Sequence, residues 1–302
     1  MKTAWVFPGQ GSQALNMGVD LLEIDSARAT FDRATEILGW SVVDICQNDQ
    51  VKLANTCYTQ PCLYVVESIL VDLLQAQGAT PDIVAGHSLG EYVALYAAGV
   101  FNFTTGLQLV KRRAELMEMA SGGGMTALIG FDRSQLEDTI SATEDVVIAN
   151  DNSTAQVVIS GTAAGIEAVL DKIKVKKAIP LKVSGAFHSP LMATAAAEFE
   201  KLLAPVAFHD ARIPVLSNVS PLPATDASEL KERLNRQITG SVRWREICLQ
   251  LPELGIQHAI EVGPGKVLTG LIKRTCEGIT VAQMGSRSDL ESIPQSGGSA
   301  NG

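Results

Sequence analysis

The chain has 302 residues, 46% of them hydrophobic, and its 33 acidic against 24 basic side chains leave a formal charge of -9. That length is enough for one large domain or two modest ones with a sizeable core, and the acidic balance excludes broad binding to nucleic acid or an anionic membrane, which needs a basic surface. No apolar run approaches the ~20 residues of a membrane span, and five cysteines (Cys46, Cys57, Cys62, Cys248, Cys276) without a C-x-x-C pair argue against both a disulfide framework and a zinc site.

Met1-Lys2-Thr3 is followed by only Ala4 to Phe7 before Pro8-Gly9, too short an apolar run for a secretory signal, so a cytoplasmic protein, or one imported without a visible presequence, is expected. Thr3 to Phe7 reads as a first strand opening into Gly9-Gln10-Gly11-Ser12-Gln13-Ala14. This loop matches the dinucleotide pattern G-x-G-x-x-A, but no strand ending in an acidic residue follows about 20 positions on. The other reading is a glycine-rich loop whose Gln10 N–H serves as an oxyanion donor. Asp20 to Leu38 has helical spacing and a Gly39 stop, and Asn55 to Gln75 contains a second helix with Pro61 at its opening.

Ile83-Val84-Ala85-Gly86-His87-Ser88-Leu89-Gly90-Glu91-Tyr92 is the organising stretch. An apolar strand turns at Ser88 into a helix, with Gly86 and Gly90 two residues either side, the pattern of a nucleophile elbow. Ser88 then stands at the positive end of a helix, where free N–H groups can hold an oxyanion. The alternation of strand and helix predicts a parallel α/β sheet. In the helix Thr104 to Ala120, Arg113 shares the apolar stripe of Leu109 and Met117, while Arg112 is rotated off it and can pair with Glu115. A guanidinium on such a face either finds a protein carboxylate or serves as a fork for a substrate carboxylate, which Arg binds bidentately.

Ser121-Gly122-Gly123-Gly124 reads as a linker. Beyond it Met125 to Gly130, Arg133 to Ser141, Val146 to Ala149, Gln156 to Gly161, Ala163 to Lys174 and Ala178 to Val183 spell β-α-β-β-α-β, a ferredoxin-like subdomain of about 60 residues. Lys172, Lys174, Lys176 and Lys177 cluster at its end, a pattern that usually marks a solvated face. Gly185-Ala186-Phe187-His188-Ser189-Pro190 supplies His188, the natural base for Ser88, since adjacent side chains diverge and carry His87 away from the elbow. Strand and helix alternate again from Ile213 to Val262. Gly263-Pro264-Gly265-Lys266 lacks the spacing of a phosphate loop, and Arg287 to Gly302 reads as a disordered tail.

Pro8-Gly9-Gln10-Gly11-Ser12-Gln13, Gly86-His87-Ser88-Leu89-Gly90-Glu91, Arg113, Gly185-Ala186-Phe187-His188-Ser189 and Glu261-Val262-Gly263-Pro264-Gly265-Lys266 together resemble the malonyl-CoA:acyl carrier protein transacylases, over about residues 3 to 286. The resemblance implies a discrete enzyme of fatty-acid synthesis with an α/β-hydrolase-like core formed by residues 1–123 and 188–286. It also implies a ferredoxin-like small subdomain at 124–187, which leaves 287–302 as the tail. Ser88 would be the nucleophile and His188 the base, oriented by the main-chain carbonyl of Gln237 rather than by a carboxylate. Gln10 and Leu89 N–H groups would form the oxyanion hole. Arg113 would hold the malonyl carboxylate, with Met117 and Phe187 lining the substrate pocket. Lys176 and Lys177 match positions linked to docking of an acidic carrier protein. Malonyl-CoA is a substrate; no cofactor and no metal are implied, and a monomer is expected. A serine thioesterase or esterase would use the same elbow, and a non-catalytic carrier-binding subunit would need only the basic patch.

Overall fold

The first strand is an uninterrupted apolar run because both of its faces are covered. Trp5 and Phe7 share one core with Leu63, Val66 and Leu70, while Ala4 and Val6 share another with Trp244, Leu251 and Ile272. Successive side chains leave a strand on opposite faces, so burial on both replaces alternation with continuous hydrophobicity. The computed structural model describes residues 1–120 and 122–292. Its strands are β1 (Lys2–Phe7), β2 (Ile83–Gly86), β3 (Gly124–Phe131), β4 (Val146–Ser153), β5 (Gln156–Gly161), β6 (Val175–Pro180), β7 (Val215–Ser217), β8 (Ser220–Ala224), β9 (Ile256–Val262) and β10 (Thr280–Met284).

Six of these form one sheet in the order β10-β9-β1-β2-β7-β8, parallel except for β8, which runs antiparallel to β7. The other four form an antiparallel sheet in the order β4-β5-β3-β6. The helices Arg133–Ser141 and Ala163–Leu170 complete its β-α-β-β-α-β chain order, and Leu128, Val157, Ile159, Leu136 and Val169 share a third core there. The fold is therefore α/β, with a mostly parallel sheet and a separate antiparallel one. No helix among the described residues is long and apolar enough to cross a membrane.

Register decides which loops meet. Phe7 pairs with Gly86 across β1 and β2, and Ala85 with Leu216 across β2 and β7. Parallel neighbours end on the same edge, so the loops after β1 and β7 flank the turn that carries Ser88. The antiparallel sheet is fastened beside them. Asp151 N–H donates to the Val242 carbonyl at 2.9 Å, and its carboxylate accepts from Arg133 Nη2 at 2.7 Å and Arg245 Nε at 2.8 Å.

Several expectations shift. Pro61 lies inside the helix Thr56–Ala76, whose first turn is capped by Asn55 Oδ1 accepting from Cys57 N–H, and does not open it. The last strand of the small sheet is Val175–Pro180 rather than 178–183, because its pairing with β3 sets its register, and so Lys176 and Lys177 belong to it. Arg112 does pair with Glu115. Of the stretch read as a tail, Arg287–Glu291 is a short helix anchored by Arg287 N–H donating to Asp20 Oδ2 at 2.6 Å. Residues 293–302, and Ser121 of the glycine linker, lie outside the described residues.

Candidate active site

Ser88 sits in the turn between β2 and the helix Gly90–Ala97 with φ of 53°, a conformation costly for a residue with a side chain. The flanking glycines follow from crowding. A Cβ on Gly86 would lie 1.9 Å from the Gly90 carbonyl carbon, and one on Gly90 2.1 Å from the Phe7 oxygen. Asn218, just after β7, holds the turn from the other side: its Oδ1 accepts from Ser88 N–H at 2.7 Å and its Nδ2 donates to the Gly86 carbonyl at 2.6 Å. The Ser88 N–H is thus committed. The N–H groups of Gln10 and Leu89 find no acceptor among the described residues. A Cβ on Gly9, next to Gln10, would stand 3.6 Å from Leu89 N, so the two loops adjoin. Two free donors, one at the start of the helix Gly90–Ala97 and one in the loop after β1, suit a developing oxyanion.

His188 follows the small sheet in the chain and is also left-handed, with φ of 57°. Its Nε2 lies 2.8 Å from Ser88 Oγ, and its Nδ1 lies 3.0 Å from the Gln237 carbonyl and 3.1 Å from that of Gly240. Two carbonyls can only accept, so the proton resides on Nδ1 and the Nε2 lone pair faces the serine hydroxyl. Burial first, and then the charge of Arg113, push the imidazole down to about 3. It is neutral at physiological pH, as a general base must be.

Arg113 is fully buried. Nη1 donates to Gln60 Oε1 at 2.7 Å, Nη2 donates to Ser88 Oγ at 3.0 Å and to Gln237 Oε1 at 3.1 Å, and the guanidinium lies 5.3 Å from the Tyr92 ring centroid. These partners are all neutral. Among the described residues no carboxylate lies within ion-pair distance of it, so the ion-pair reading gives way to a guanidinium held by neutral partners beside the Ser88 hydroxyl. Burial pulls its pKa down, yet a guanidinium starts so high that it stays charged. Met117, one turn on, and Phe187 are buried in the same core, and the Met117 sulfur accepts from Gln60 Nε2 at 3.6 Å.

Residues 4–293 match the acyl transferase domain family. The malonyl CoA-acyl carrier protein transacylase of Synechocystis sp. PCC 6803 is 59% identical, over 97% of this chain and 100% of its own. A crystal structure of the malonyl-CoA:ACP transacylase from that organism superposes with a TM-score of 0.95 at 59% identity, covering 97% of this chain and 100% of the other. A complex of a type II PKS acyl-carrier protein with its malonyl-transacylase contains a chain that superposes with a TM-score of 0.91 at 34% identity, covering 96% and 98%. The chain belongs to the malonyl-CoA:acyl carrier protein transacylases, within the acyl transferase family.

In this transacylase Ser88, His188, Arg113 and Gln237 meet at one point, with the Gln10 and Leu89 N–H groups beside it. The Gln10 side chain donates to Thr56 Oγ1 at 3.2 Å and accepts from Gln60 Nε2 at 3.5 Å, so its main-chain N–H is the group left without an acceptor. Lys176 and Lys177 stand apart from this cluster, exposed on the edge strand β6. As neighbours in a strand they leave opposite faces of the sheet. His87 turns away as expected and meets Asn152 Oδ1 at 2.8 Å. Sequence reasoning assigned no role to Asn218, Gln60, Tyr92 or Glu91. Only Glu91 carried a signal, as an acid in the first turn of an otherwise apolar helix. Among the described residues no cluster of three or more His, Cys, Asp or Glu could hold a metal ion.

Proposed function

We propose that this transacylase moves the malonyl group of malonyl-CoA to the phosphopantetheine thiol of an acyl carrier protein through a malonyl-Ser88 ester. One observation carries the reading: Ser88 Oγ stands 2.8 Å from His188 Nε2 and 3.0 Å from the Arg113 guanidinium, a base and a carboxylate fork on one nucleophile. His188 takes the hydroxyl proton as Oγ attacks the thioester carbonyl, and the Gln10 and Leu89 N–H groups hold the tetrahedral oxyanion. The carbon–sulfur bond then breaks, its electron pair leaves on sulfur, and His188 returns the proton to release CoA as the thiol. The carrier thiol attacks the ester in turn, gives its proton to His188, and Ser88 recovers it. Arg113 selects an acyl group with a free carboxylate and holds it for both attacks.

This chemistry needs no metal and no redox group. The same reading takes the six-stranded sheet as an α/β-hydrolase-like core of residues 1–123 and 188–286 and the four-stranded sheet as a ferredoxin-like subdomain of residues 124–187. It makes Lys176 and Lys177 contacts for an acidic carrier, and the protein a cytoplasmic monomer. The relative solved as a complex of a type II PKS acyl-carrier protein with its malonyl-transacylase supports the choice of acceptor. Intact mass after brief exposure to malonyl-CoA tests the reading. One malonyl adduct, absent from Ser88→Ala and discharged by holo carrier protein, is expected; steady CoA release without an adduct would identify a thioesterase.

A further inference from the structure

Glu91 is a fully buried carboxyl group to which the transfer chemistry gives no task. It stands three residues after Ser88, in the first turn of the elbow helix, and its Oε2 accepts from Gln237 Nε2 at 2.8 Å and from Asn218 N–H at 3.1 Å. Its Oε1 has no partner among the described residues. Burial raises its pKa, and the donors from Gln237 and Asn218 oppose that rise.

We infer that Glu91 is a positioning residue: by fixing which way the Gln237 amide faces, it sets where Arg113 presents its charge to the acyl group. Gln237 Nε2 has two hydrogens, and both are committed, one to the Ser88 carbonyl at 2.7 Å and one to Glu91. Its Oε1 is therefore turned to Arg113 Nη2 at 3.1 Å. Flipping the amide would set an oxygen against two acceptors and an NH2 group against a guanidinium, which can only donate. Without Glu91 one of the two acceptors is gone and the flip meets less opposition. Gln237 also lends its main-chain carbonyl to His188 Nδ1 at 3.0 Å, so one residue, held at its side-chain end by Glu91, touches both the base and the fork. A carboxylate is thus present next to the serine and histidine, one residue removed from the histidine.

The inference rests on the transferase reading, and the test separates the two. Loading kcat/KM with malonyl-CoA and with acetyl-CoA is measured on the full chain carrying Glu91→Gln, whose own NH2 can face a flipped Gln237, and Gln237→Leu, which keeps the main-chain carbonyl. Each single variant is expected to lose at least tenfold in the malonyl-to-acetyl ratio, and the double variant no more than either alone, because one link has been cut twice. Equal losses for both acyl groups, or multiplying losses in the double variant, would overturn the inference. Thermal unfolding identifies a variant that fails to fold. If Glu91→Gln does, Glu91→Asp, whose shorter side chain gives up the Gln237 contact, takes its place: an intact malonyl preference overturns the inference and a tenfold loss supports it. A parent protein that forms no malonyl adduct would overturn the transferase reading instead.

Discussion

His188 can accept a proton at neutral pH because its pocket refuses one at rest. Buried and facing Arg113, its imidazole titrates near 3, against about 6.5 in an unfolded chain. The consequence for activity is an acid limb displaced downward: malonyl loading, followed as kcat/KM from pH 8 to pH 5, should hold past the point where an ordinary histidine would have halved it. The consequence for stability has a definite sign. Between pH 6.5 and about 3 the unfolded chain binds a proton that the native state does not, so stability is fully present above 6.5 and lost as pH falls through that window. His188→Gln should flatten the fall of Tm over that range, and an unchanged slope would assign the fall to other groups. Arg113 gives the matching prediction for selectivity. Arg113→Ala should lower malonyl loading on the order of 10²-fold or more, as loss of a buried charged contact does, and acetyl loading far less. Equal losses would remove the carboxylate fork from the mechanism.

At the scale of elements, the site exists because parallel strands end together. The loops after β1, β2 and β7 bring Gln10, Ser88 and Asn218 to one edge, and the glycines at 86 and 90 let strand and helix approach closely enough to turn there. A helix start elsewhere is closed to such use. Beyond Gly263-Pro264-Gly265-Lys266, the Leu268 and Thr269 N–H groups donate to Glu261 at 2.9 and 2.7 Å, so a carboxylate of the chain occupies the place a phosphate would take. Asp151 of β4 joins the second sheet to its surroundings by pairing with Arg133, on the helix Arg133–Ser141 of its own subdomain, and with Arg245, on the helix Trp244–Glu253 that packs against the first sheet. These side chains keep 11–25% of their surface in solvent, so Asp151→Asn should destabilise by about 1–2 kcal/mol, less than a fully buried pair. That corresponds to a Tm lower by roughly 2–6 °C in a chain of this size. A shift below 1 °C would mean the two sheets hold together without this pair.

Over the whole molecule, what could be read from the sequence was what is local. Ile83 to Ala85 as strand, Ser88 at the turn, the helical stripe carrying Arg113 and the β-α-β-β-α-β order are each written in neighbouring residues, because periodicity and turn chemistry act over a few positions. Strands β8 and β10 were not legible. Ser220–Ala224 contains two prolines and pairs at an edge, and Thr280–Met284 is strand only because β9 lies beside it. The register of β6 likewise belongs to its pairing with β3. The site divides along the same line. Ser88, His188 and Arg113, which the structure brings within hydrogen-bond distance of one another, stood out as residue types in characteristic surroundings, and the Gln237 carbonyl that meets His188 came only with the family resemblance. Gln60, Asn218 and the side-chain role of Gln237 were invisible, since neutral amides follow no periodic pattern and their partners lie 53 to 149 positions away. Sequence alone thus determined the elbow and the chemistry available to it. Tertiary structure decided which groups share a hydrogen-bond distance, because such bonds are short and directional and only the packed sheets and helices bring their ends together.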